Sequence, residues 1–302
     1  MSLRSKIGFI GHRKFLIVDH KWRTRGYASK FDGKVERREK PTEPSGLEKV
    51  QQLEVVKGTT FVKNPNVKKR KRSPEEKNWS KKSIFFDLPY WKFLKLPHNI
   101  DFMHTEKNWL DSLMGTLLNI VGKTKDTDKA RLDLEDMGIR HSLHLKVNNG
   151  KILKPPACYT LSKKDRHEFC EFLQSVKYPD GYAANISRCV NIKEGKISGL
   201  KSHDCHVLLQ RVLPIGMRGF LNKEVYTLVC EVSSFFRDLG SRKLKVEDIE
   251  KLEENIVIIL CKLEMIFPPA FFDVMIHVAL HLPQQAKLGG PVQNRWMYPF
   301  ER

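Results

Sequence analysis

The sequence predicts a mainly α fold in which a small α/β part leads into a helical bundle. Three observations predict it. From Leu161 onward apolar residues recur at helical spacing between Gly and Pro stops. Ahead of that region, residues 83–101 are aromatic and cut by Pro89 and Pro97, the texture of short extended pieces. The charge is also lopsided. Of the formal +19, Met1 to Lys82 carry 23 Lys and Arg against 9 Asp and Glu, a net +14, and the rest only +5. A chain of 302 residues suffices for one large or two medium domains with a core. No apolar run approaches the ~20 residues of a membrane span, and the first residues lack a signal-peptide pattern.

Residues 1–30 (GFIGHRKFLIVDHKWR within them) mix β-type and basic residues and are expected to give one or two short strands or an extended segment. Residues 31–82, rich in Lys, Arg, Glu, Pro and Gly, read as a basic solvated linker. Residues 83–150 form the small α/β part. Two short strands are expected up to Asp101, then a helix over 105–119 with Trp109, Leu110, Leu113, Leu117 and Leu118 on one face, then another over 126–137. Residues 151–302 form the bundle. Ser162 should cap a helix through Val176. The segment 203–218 should kink at Pro214. Helices follow over 222–239, 246–267, stopped by Pro268-Pro269, and 271–282, stopped by Pro283.

Several constellations could carry chemistry. Asp101-x-x-His104 places a carboxylate one turn from an imidazole, and carboxylate oxygen is what Mg²⁺ takes. The same spacing is also that of an aspartate capping the next helix. His203-Asp204-Cys205-His206, with Cys170 and Cys189 upstream, invites a zinc reading, but neighbours on a helix point to different faces. His277 and His281 share a face at i,i+4 among Val, Ala and Leu, which also suits packed histidines. The six cysteines form no CxxC pair and read as free thiols. Lys68, Lys69, Arg70, Lys71 and Arg72 form a run that attracts polyanions, nucleic acid above all, and resembles a nuclear-localisation cluster.

The strings SIFFDLPYW, HNIDFMHTEKNWLDSLMGTLLNIVGKTKDTDKARLDLEDMGIR and PPACYTLSKKDRHEFCEFLQSVKYPDGYAANISRCV resemble the core of plant CACTA (En/Spm-like) transposases. SHDCHVLLQRVLPIGMRGFLNKEV, KLEMIFPPAFFDVMIHV and AKLGGPVQNRWMYPFER resemble the helical domain of unknown function that follows it in that family. The resemblance implies a partial RNase H-like core joined to the bundle, with three acidic residues holding Mg²⁺ or Mn²⁺ for strand transfer at transposon ends. Asp101 then looks like the second acid and metal ligand, His104 its companion, and Glu301 a candidate for the third. The first aspartate of the family should precede GFIGHRKF, so the chain reads as truncated at both ends and is expected to lack strand transfer of its own. Implied partners are DNA and other transposase copies, in a nucleus, with no membrane. The alternative is a helical DNA- or protein-binding module derived from a transposase.

Overall fold

The computed structural model describes residues 1–4, 7–54 and 83–296. It divides into two compact units, Met1–Lys40 with Ile100–Arg302, and Pro41–Asn99.

In the smaller unit, helix α1 (Gly46–Glu54) begins with a capping box. The Glu48 carboxylate accepts from the Ser45 amide (2.7 Å) and hydroxyl (2.8 Å), and Ser45 Oγ accepts from the Glu48 amide. A Cβ on Gly46 would lie 2.2 Å from the Lys92 carbonyl, so only glycine permits this approach. Where two strands are expected, residues 84–87 and 91–93 form 3₁₀ turns. Pro89 and Pro97 supply no N–H to a ladder. The aromatic rings close on one another instead, the buried Trp91 meeting Phe86 edge-on at 4.5 Å.

The larger unit opens with 3₁₀ turns at His12–Phe15, Lys21–Arg23 and Arg25–Lys30, where strands are expected. Two buried arginines take the carbonyls that a sheet partner would have taken. Arg23 donates to the carbonyls of Arg13, Lys14, Leu16 and Arg38, at 2.8–3.3 Å. Arg13 donates to those of Trp22 and Lys34 and to Asp32 Oδ1 at 2.6 Å. Residues 31–40 belong to this unit too, with Phe31 and Glu36 buried.

Helix α2 (Phe102–Leu117) buries the predicted stripe of Trp109, Leu110, Leu113 and Leu117. Helix α3 (Asp128–Asp136) is capped by Thr127. Strands β1 (Lys146–Asn148) and β2 (Lys151–Leu153) form an antiparallel hairpin. Helix α4 (Lys163–Ser175) starts at Ser162 as predicted, with a full capping box to Asp165. A second hairpin, β3 (Val190–Asn191) and β4 (Lys196–Ile197), interrupts the region expected to be helical. Among the described residues these two hairpins are the only sheets.

Around Pro214, where a kink is expected, the helix leaves regular α geometry. Helix α5 (Ser202–Val207) widens into a π turn (Leu208–Val212) before α6 (Leu213–Gly216) resumes. Proline lacks an N–H and crowds the carbonyl four residues back, so the ladder loosens there. Helices α7 (Lys223–Leu239) and α8 (Val246–Ile266) are the long pair of the bundle. Phe236 of α7 meets Phe102 and Trp109 of α2 edge-on, at 5.8 and 5.5 Å. The predicted helix over 271–282 is broken. A 3₁₀ turn at Ala279–His281 separates α9 (Val274–Val278) from α10 (Leu282–Gly289). Pro283 opens α10 rather than ending a helix, since a proline in the first turn has no intrahelical bond to lose.

Candidate functional site

Asp101 ends an extended residue and caps α2. Its Oδ1 accepts from the His104 amide at 3.0 Å, and its carbonyl accepts from Thr105 Oγ1 at 2.8 Å. The D-x-x-H spacing is therefore the spacing of a cap and the third residue of the helix. His104 is exposed, and its carbonyl accepts from Asn108 Nδ2. Glu301 and the run Lys68, Lys69, Arg70, Lys71 and Arg72 lie outside the described residues. Among the described residues no three His, Cys, Asp or Glu side chains group to hold a metal ion. Asp101 Oδ1 is thus engaged by the backbone of its own helix.

The carboxylates that converge with other chemistry are two that the sequence reading missed. Glu264 stands on α8 at the face of Ile256 and Leu260, and is buried. Its Oε1 accepts from the Gly11 amide (2.7 Å), the His12 amide (3.0 Å) and His12 Nδ1 (2.5 Å). An oxygen taking two backbone donors acts as acceptor, so His12 carries its proton on Nδ1 and turns Nε2 toward His277 Nδ1, 3.1 Å away. Phe9 stacks on the far side of His277 at 5.5 Å. Burial, then the neighbouring His12, His281 and Lys14, push the His277 imidazole down to about 3. The His277/His281 pair thus belongs to a packed histidine chain.

Arg140 closes the other side of this cluster. It donates to the carbonyls of Ile266 (3.3 Å), Phe267 (2.5 Å) and Glu264, the last turn of α8, where a cation also meets the negative end of the helix dipole. Burial lowers its guanidinium to about 10, so it stays charged at neutral pH.

Glu106 is the second missed carboxylate, buried on the α2 stripe between Phe102 and Leu110. Its Oε2 faces His206 Nδ1 at 2.8 Å, and its Oε1 accepts from Gln210 Nε2 at 2.8 Å. Gln210 sits in the π turn, which delivers its amide to both Glu106 and the Phe236 carbonyl. This arrangement accounts for part of the segment that invites a zinc reading. His206 faces Glu106, and Cys205 is buried, its thiol pushed up to about 12 mainly by burial. Trp296 lies edge-on over His206 at 6.0 Å. All six cysteines are free. In both missed carboxylates the signal was present in the sequence: an acid standing at a core position of an apolar helical stripe.

Beside this segment a cleft of about 750 Å³ opens, lined by Lys107, Tyr182, Lys201, His203 and Asp204. Among the described residues no helix is long and apolar enough to cross a membrane.

Comparison with known families finds two matches. Residues 1–56 match the model of the transposase family tnp2, and residues 239–302 match that of a domain of unknown function, DUF4218. Together they support a transposase-family protein. No curated protein and no solved structure matches the chain.

Proposed function

We propose that the chain is a DNA-binding protein derived from a plant CACTA (En/Spm-like) transposase, and that it performs no strand transfer by itself. One observation carries the reading. The two family-matching segments stand at opposite ends of the sequence, and residues 1–40 of the first pack against the second in the larger unit. The Glu264 carboxylate takes the amides of Gly11 and His12, and the Phe9 amide donates to the Phe272 carbonyl at 2.7 Å. Lys40 pairs with Glu253 at 3.5 Å. A transposase-type N-terminal segment and the helical segment are therefore parts of one folded body.

DNA affinity is supported by the basic excess of residues 1–82, in which Lys68, Lys69, Arg70, Lys71 and Arg72 are the densest run, and by Lys107 and Lys201 beside the open cleft. The same run supports a nuclear address. Lack of strand transfer is supported by the use of Asp101 as a helix cap. In this family reading Mg²⁺ or Mn²⁺ serves the intact enzyme, and the partners are transposon ends and other transposase copies.

The test is incubation of the full chain with labelled duplex DNA, with and without Mg²⁺ or Mn²⁺. Binding without nicking or joining is expected. Metal-dependent nicking that Asp101→Ala abolishes would overturn the claim of inactivity, and absence of any binding at low salt would overturn the DNA reading.

A further inference from the structure

The +5 of residues 83–302 is not spread evenly. Between Asp136 and Asp165 there is no acidic residue, while Arg140, Lys146, Lys151, Lys154, Lys163 and Lys164 supply six cations. This one stretch accounts for the whole excess. Arg140 is used inside the fold, and Lys154 pairs with Asp126 at 3.7 Å. Lys146 and Lys151 stand instead on the β1–β2 hairpin, and neither has an ion pair among the described residues.

The hairpin is built to stand alone. Its register pairs Lys146 with Leu153, Val147 with Ile152, and Asn148 with Lys151. All six are exposed. Asn149 and Gly150 form the two-residue loop with φ of 49° and 73°, both positive, as a type I′ turn requires, and its twist matches that of the strands. Paired residues share a face, and successive pairs alternate. One face therefore carries Lys146, Asn148, Lys151 and Leu153. The other carries Val147 and Ile152, a β-branched cross-strand pair that holds the ribbon together without a core beneath it.

A ribbon of two strands about 5 Å apart, flanked by lysine side chains, fits a major groove about 12 Å wide and not a minor groove about 6 Å wide. Its polar face holds the side-chain types that meet a duplex there: lysine for phosphate or guanine edges, asparagine for adenine. We propose that residues 146–153 enter the major groove of duplex DNA with Lys146, Asn148 and Lys151 toward the duplex. The proposal rests on the DNA-binding reading above and names an element that carries it.

The experiment uses the full chain and a labelled duplex, titrated between about 50 and 200 mM salt. Lys146→Gln with Lys151→Gln removes two phosphate-reaching cations and should lower the slope of log K against log salt by about 2. Asn149→Ala with Gly150→Ala keeps both lysines but forces alanine into positive φ. It should weaken binding about tenfold at fixed salt, a loss of about 1.4 kcal/mol. Thermal melts of both variants should match the parent chain outside the hairpin, since every altered side chain is exposed. Methyl green, a major-groove ligand, should compete with the chain, and distamycin should not. An unchanged slope in the lysine variant, on a parent chain that binds duplex, would overturn the ribbon and leave the DNA reading standing. Weakening by the lysine variant but not by the turn variant would show diffuse charge and overturn it equally. Competition by distamycin alone would put the contact in the wrong groove. Loss of single-stranded RNA binding with duplex binding intact would put it on the wrong partner. A parent chain that binds no duplex would overturn both readings.

Discussion

Glu264 concentrates more of the larger unit's buried polar chemistry than any acid weighed from the sequence. One oxygen accepts three donors, all from residues 11–12, some 250 positions away. Removing it leaves two amides and an imidazole without a partner in an apolar setting, at ~1–3 kcal/mol for each orphaned group. Glu264→Ala should lower unfolding free energy by about 3 kcal/mol or more in urea titration, and Glu264→Gln, which keeps a carbonyl oxygen, by less. A loss below about 1 kcal/mol for the alanine variant would show that water replaces the carboxylate. His277 gives a pH signature. Its folded value is about 3 against an ordinary 6.5, so the unfolded chain binds the extra proton between these values. Its contribution is intact above about 6.5 and is lost as pH falls toward 3, at up to about 1.4 kcal/mol per pH unit. His277→Asn should flatten that slope in melts run from pH 7 to 4. An unaltered slope would place the proton elsewhere.

At the scale of elements, the helices readable from sequence were those whose ends are written by local chemistry. Ser162 and Asp165 form a reciprocal cap, the serine hydroxyl donating to the carboxylate at 2.7 Å and accepting from the Asp165 amide at 3.1 Å. Ser162→Ala should cost about 1 kcal/mol, read as a shifted denaturation midpoint with unchanged slope. A null effect would mean that the first turn of α4 is held by packing alone. The bounds of α7, capped by Asn222, were likewise legible, and the apolar stripes of α2 and α8 marked those helices, although α2 starts three residues ahead of the predicted 105. The N-terminal segment was not. Its β-type residues suggest strands, and the feature that overrides them is non-local: Arg13 and Arg23 turn inward and take the carbonyls. Arginine in a basic stretch looks like surface from sequence, yet these two are buried. Part of the positive charge credited to the N-terminal third is thus spent inside the fold. Pro283 misled for a related reason, since proline both ends one helix and begins the next. The candidate site followed the same rule. Asp101 and His104 are legible as a local motif, and locally the geometry is a cap. Glu264 and Glu106 matter through partners about 250 and 100 residues distant, and only their places on apolar stripes pointed to them.

At the scale of the molecule, residues 1–40 are part of the larger unit and not a detachable arm. Deleting residues 1–82 would therefore expose the surface beneath His12 and Arg13 together with removing charge. A clean test of the basic run must act on the run itself, in the intact chain. The central claim is that a transposase-derived body holds DNA through exposed cations. The measurement that tests it most directly is an equilibrium titration of the full chain with duplex DNA at about 50 and 200 mM salt, beside a chain in which Lys68, Lys69, Arg70, Lys71 and Arg72 are replaced by glutamine. The account predicts tight binding at low salt that falls by a factor of ~10³ or more at the higher salt, with a shallower fall in the glutamine chain. Binding too weak to detect at low salt, or equal binding by both chains with no salt dependence, would contradict it.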